Sequence, residues 1–140
     1  MIDFERLEVI DAAKRELQEV ERNIQNATQP LLQDMNLIEP VHEHIKQMLG
    51  GVRKADALTI KIIVLLYCFS PMSLVRNCRK STTLRAIAKT LNMSYQNFIQ
   101  HKQSVVLSYK IYAPIRTMAD NVYDSIVEEF CKENLQKYQY

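Results

Sequence analysis

Between residues 4 and 28 no Gly or Pro interrupts the chain. Ile10, Ala13, Leu17, Val20, Ile24 and Ala27 recur there at alternating steps of three and four. That spacing draws one apolar stripe along a helix. It is also the spacing of an a/d seam in a short coiled coil, with charges beside it, though over fewer heptads than a sustained coiled coil uses. The pattern therefore predicts first a helix packed on its own domain, and second an arm for self-association. Pro30 ends this segment, and LLQDMNLIE supplies one further turn.

A second helix is expected from Pro40 to Leu49, with Pro40 in its first turn, where a missing N–H costs nothing. Gly50-Gly51 stops it. From Ala55 to Phe69 the run ALTIKIIVLLYCF is apolar nearly all round, which marks the central buried helix. Asp56 opens it and Ser70-Pro71 closes it. After a basic loop, MSLVRNCRK, Ser81 or Thr82 can cap a helix from Thr83 to Leu91, and Ser94 one from Tyr95 to Tyr112. Pro114 interrupts. A last helix, Ile115 to Lys137, lines up Met118, Ala119, Val122, Ile126 and Phe130. The expected fold is all-α, with about six helices.

Composition agrees. Two Gly and four Pro in 140 residues are too few for the turns of an all-β chain. The longest apolar run, Ile62 to Phe69, is too short to span a bilayer, and the acidic start MIDFERLE lacks a secretory pattern. Three cysteines, Cys68, Cys78 and Cys131, form no CxxC, which predicts free thiols in a reduced, cytoplasmic protein without a membrane association.

Charge changes the picture more. The net value is only +2, but residues 1–49 hold five Lys and Arg against ten acids, a net −5. Residues 52–116 hold eleven against one, Asp56, a net +10, and residues 117–140 hold two against five, a net −3. A basic middle between acidic ends attracts phosphate and turns its flanks elsewhere. Three segments follow: an acidic helical arm over 1–51, a basic unit over 52–113 and an acidic C-terminal helix over 114–140. The acidic arms also offer surface to a protein partner.

Within the basic unit lies LRAIAKTLNMSYQNFIQHK, Leu84 to Lys102. Two helices crossing steeply need a small residue at their contact and a short turn. Ala88 is the small residue, Ile87 and Leu91 face inward, Met93 seals the turn, and Phe98 continues the buried face. Asn92 stands where a left-handed backbone is needed, which Asn tolerates. The run Ile87-Ala88-Lys89-Thr90-Leu91-Asn92-Met93-Ser94 resembles the helix-turn-helix of sigma-factor region 4 and of LuxR-type response regulators. LTIKIIVLLYCF resembles the first helix of that three-helix unit. The resemblance covers residues 55–112.

The resemblance implies that the second helix of the pair enters a major groove of double-stranded DNA. Tyr95, Gln96, Asn97, Gln100 and Gln103 would then face base edges, where Asn and Gln can pair with adenine. Arg76, Arg79, Lys80, Arg85, Lys89, Lys102 and Lys110 would contact phosphates. The expected function is non-catalytic DNA binding, as a transcription regulator or sigma-like factor, by a homo-oligomer. The alternative is an oligomeric phage packaging or assembly protein, similar to a small terminase subunit.

Other chemistry fails on spacing. A cysteine phosphatase loop needs Arg six residues after Cys78, where Leu84 stands. A phosphate-cradling loop needs glycines before Lys80-Ser81, and Arg79 and Leu74 occupy those positions. His42 and His44, two apart, point to different faces of a helix and do not share a metal easily. His101 is expected as a half-buried contact and Cys68 as a packing residue. Tyr109, Tyr112 and Tyr123 follow helical spacing, as core residues do, rather than forming a stacking surface. Neither a cofactor nor a metal is expected.

Overall fold

A computed structural model describes residues 2–27, 29–76 and 81–131. Its six helices, with no strand among the described residues, make an all-α fold. They are α1 (Phe4–Ala27), α2 (Ile38–Met48), α3 (Lys54–Phe69), α4 (Thr82–Thr90), α5 (Tyr95–Ile111) and α6 (Ala113–Phe130). Short 3-10 turns lie at Met35–Leu37 and Pro71–Leu74. The expected 115–137 helix starts two residues earlier because Pro114 takes its first turn, and it ends at Phe130 with Cys131 as its C-cap rather than at Lys137. Residues 132–140 lie outside the described residues.

α3 is the central helix. Ile60, the run Ile62 to Leu66, Cys68 and Phe69 are buried, and α2, α4, α5 and α6 all pack on it. A helix apolar on every side needs neighbours on every side, and four amphipathic helices supply them. Each contributes one stripe: Ile38, Val41 and Ile45 from α2; Leu84, Ile87 and Ala88 from α4; Phe98 and Val105 from α5; Ile115, Ala119, Val122 and Ile126 from α6. The chain before α2 crosses the far end of α3. There the Leu32 N–H donates to the Cys68 carbonyl at 3.0 Å, satisfying one of the orphan carbonyls of a helix end.

α2 ends at a left-handed glycine, Gly51, with φ of +88°. It is tied to α6 by His44, whose Nε2 lies 2.8 Å from Ser125 Oγ and whose ring meets Phe130 edge-on. The division expected at residue 51 therefore does not follow the packing. Val41 and Ile45 belong to the same core as α3, and α6 belongs there too.

α1 behaves differently. Asp3 caps it by accepting from the Arg6 N–H at 3.0 Å, yet every side chain described in it is exposed. Leu17 is 64% exposed, Val20 49% and Ile10 42%. The first expectation for its stripe, packing on the chain's own domain, does not hold. No helix among the described residues is long and apolar enough to cross a membrane.

Candidate nucleic-acid interface

The α4–α5 pair is built by three local devices. Ser81 caps α4, its Oγ accepting from the Leu84 N–H at 3.2 Å. Ser94 caps α5 in the same way, accepting from the Asn97 N–H at 3.2 Å. Between them Asn92 takes φ of +57°, the one positive φ among the described non-glycine residues. That dihedral closes a Schellman turn: the Met93 N–H reaches the Ala88 carbonyl at 2.9 Å and the Asn92 N–H reaches the Lys89 carbonyl at 3.0 Å. Ile87, Ala88 and Phe98 are buried below the turn, while Leu91 and Met93 are half-buried at its margin.

The outer side is polar. Gln96, Asn97, Gln100 and Gln103 are exposed, as are Arg85 and Lys89 one turn apart on α4. The Arg85 guanidinium lies over the Tyr95 ring, 4.4 Å from its centroid, a cation held flat on an aromatic face. Arg85, Lys89, Asn92, Ser94 and Tyr95 line one shallow recess at the turn. Tyr95 is half-buried and covered by Arg85, so it braces the cation more readily than it reaches for a base edge. No acidic residue occurs between Asp56 and Asp120, so the sequence puts no carboxylate on either α4 or α5.

Two residues assigned to phosphate contact do not fit. Lys102 is 4% exposed, and its Nζ donates to the Arg76 carbonyl at 3.2 Å. It follows Phe98 by four residues and precedes Val105 by three, which places it on the inner stripe of α5. There its ammonium ties α5 to the chain leaving the 3-10 turn at Pro71–Leu74. Lys110 is exposed but lies 15 residues beyond Tyr95, about 22 Å along the helix axis. It borders a separate groove with Tyr109 and Asp120. Arg76 is exposed. Arg79 and Lys80, with Cys78, lie outside the described residues.

Of the three tyrosines expected in the core, Tyr109 and Tyr123 pack against it and Tyr112 does not. Tyr67 and Tyr123 meet edge to face at 4.9 Å between centroids, and the Tyr109 hydroxyl donates to Asp120 Oδ1 at 2.7 Å. Tyr112, expected in the core, is 60% exposed at the α5–α6 junction. Burial, with Cys131 nearby, pushes the Cys68 thiol up to about 12, and burial raises Cys131 as well. Both stay protonated and are poor nucleophiles. His101 is exposed rather than half-buried. His42 is half-buried and its Nε2 has no hydrogen-bond partner among the described residues. Desolvation, helped by Lys61 and Lys46, holds it below the usual histidine range and keeps it neutral. Among the described residues no group of three or more His, Cys, Asp or Glu could hold a metal ion.

The residues brought together are thus Arg85, Lys89 and Tyr95 at the turn, with Gln96, Asn97, Gln100 and Gln103 running outward from it. The Arg85–Tyr95 stack left no signal in the sequence, because it pairs residues on two helices whose crossing the pattern does not specify. The position of Lys102 did leave one, in its spacing from Phe98 and Val105. Comparison with protein-family models, with curated proteins and with solved structures returned no match.

Proposed function

We propose that this chain is a non-catalytic, cytoplasmic DNA-binding protein that inserts the N-terminal half of α5 into a major groove, acting as a transcription regulator or sigma-like factor. One observation carries the reading. A Schellman turn at Asn92 sets a capped helix with four exposed amide side chains beside a cation pair, Arg85 and Lys89, on elements without a carboxylate. In that role Arg85 and Lys89 grip phosphates and fix the register, while Gln96, Asn97 and Gln100 meet base edges. The buried free thiols of Cys68 and Cys131 support a reducing compartment.

The test is duplex binding over a salt series. Affinity should fall as salt rises, because each neutralised phosphate releases a counterion. Lys89→Ala should weaken binding to all sequences alike and reduce the salt slope by about one unit. Gln96→Ala and Asn97→Ala should lower the preference for a selected site by roughly 1–3 kcal/mol per lost base contact and leave nonspecific affinity nearly unchanged. No duplex binding at low salt would overturn the reading.

The exposed stripe of α1 favours a second reading, an oligomeric phage packaging or assembly protein that uses the same helix pair. Oligomer size separates the two: a dimer favours the regulator, and a ring of many subunits favours packaging.

A further inference from the structure

α1 is 24 residues long and spans about 36 Å. In proteins most of a helix's stability comes from packing an amphipathic face. Here that face is apolar and exposed at Ile10, Leu17 and Val20. The internal support described is the Asp3 cap and one exposed ion pair, Arg15 to Asp11 at 3.2 Å. The helix is acidic, with seven Asp and Glu against four Lys and Arg over residues 1–27. Helices that lie on membranes carry Lys and Arg on their polar face, so a lipid surface is a poor occupant. A second protein helix is the better one.

We infer that α1 pairs antiparallel with α1 of a second copy of this chain. With Ile10, Leu17 and Ile24 at a positions and Ala13 and Val20 at d, the e positions include Lys14 and Glu21, and the g positions Glu16 and Asn23. In a parallel in-register pair, g faces the following e of the partner, which sets Glu16 against Glu21 twice. In an antiparallel pair centred between Leu17 and Val20, e faces e and g faces g. Lys14 then meets Glu21 twice, and Glu16 meets Asn23, which can donate to it. The core layers agree with the charges. Antiparallel pairing puts Ala13 opposite Ile24, small against large, and Leu17 opposite Val20, two side chains of similar size. Parallel pairing would stack alanine on alanine in one layer and isoleucine on isoleucine in another, leaving one layer thin and another thick.

This arrangement is a closed two-fold, so it stops at two chains. It places the C-terminal ends of the two α1 helices, and the helical cores that follow them, at opposite ends of the rod instead of side by side.

The experiment uses the full chain without DNA, so its outcome is independent of the DNA reading. Light scattering and sedimentation over a dilution series should give twice the chain mass. Leu17→Glu should raise the dimer dissociation constant on the order of a hundredfold or more, because it buries a carboxylate against Val20 in each of the two central layers. The near-ultraviolet tyrosine melt of the core should stay unchanged, since Leu17 lies outside it. Glu21→Lys fixes the orientation. In the antiparallel pair it sets Lys14 against a lysine and weakens dimerisation roughly three- to tenfold. In a parallel pair it relieves the Glu16 clash and strengthens it. Adding Lys14→Glu to Glu21→Lys should restore the parent constant. A monomer at all concentrations, a larger closed assembly, a dimer indifferent to Leu17→Glu, or a dimer tightened by Glu21→Lys would each overturn the proposal.

Discussion

Asn92 offers the cleanest test of the α4–α5 turn, because its side chain is exposed and its backbone is not ordinary. Replacing it by Ala removes no buried surface. The cost arises from φ of +57°, a conformation in which a Cβ crowds the following carbonyl and which costs about 1–2 kcal/mol for an ordinary L-residue. The chain could escape by abandoning the left-handed angle. It would then lose the Met93-to-Ala88 and Asn92-to-Lys89 hydrogen bonds, together about 1–3 kcal/mol, and pull Met93 from its half-buried seat. Holding the strain is no dearer than escaping it, so the turn should persist and Asn92→Ala should destabilise by about 1 kcal/mol. Asn92→Val should cost more, because β-branching crowds the same space. Asn92→Gly should be neutral or slightly stabilising, since glycine adopts the angle freely and its extra unfolded-state entropy offsets part of the gain. Urea melts followed by the tyrosine signal, which reports the core, read these differences. Thermal midpoints should shift by about 3–6 °C per kcal/mol. If Ala is tolerated as well as Gly, or if Gly destabilises more than Ala, the turn is not left-handed and the pair is assembled differently.

Ala88→Leu should destabilise by about 1–3 kcal/mol, because the site is 2% exposed below the turn and extra methylenes there push α4 from α5; a parent-like melt would place Ala88 away from a close contact. Lys102→Met should cost about 1–3 kcal/mol of stability through the lost ammonium hydrogen bond to the Arg76 carbonyl, yet leave the salt slope of any DNA binding unchanged. A reduced slope with parent-like stability would return Lys102 to the surface. His42 sets a pH dependence. Its folded pKa lies below the unfolded value near 6.5, so the unfolded chain takes up the proton first. Stability should therefore be fully present above about pH 6.5 and fall as pH drops through the lowered folded value. His42→Gln should flatten that fall in urea melts between about pH 7.5 and 5, and an unchanged slope would show that His42 is not desolvated.

The helix boundaries were legible because the residues that set them act locally. Ser81 and Ser94 cap, and Gly51 and Asn92 take left-handed angles; Pro114, expected only to interrupt, instead takes the first turn of α6. Lys102 was misread by residue type. A lysine is ordinarily solvated, but its place between Phe98 and Val105 puts it on the buried stripe, where its stem packs and its ammonium finds a carbonyl. Lys110 was misread by proximity in sequence: it shares a helix with Gln96, but a rise of 1.5 Å per residue carries it far from the turn. Tyr109 and Tyr123 pack against the core as their spacing predicts, and Tyr112 does not. Tyr112 escapes the core because α5 ends one residue before it and α6 begins one residue after, so the helical spacing that placed it inward is broken there.

α1 shows a different kind of gap. An apolar stripe at steps of three and four states which face of a helix leaves water, not what covers it, because packing inside a chain and pairing between chains use the same residues. Two further features of the sequence carry the missing information. One is the polar residues flanking the stripe, the opposite charges Lys14 and Glu21 on one side, and Glu16 with the amide of Asn23 on the other. The other is the alternation of Ala13 with Ile24 across a centre between Leu17 and Val20. A helix that packs on its own domain has no reason to be self-complementary end for end. The self-complementarity of α1 in both charge and volume, on a face the core leaves open, is what supports the proposed pairing with a second copy of itself.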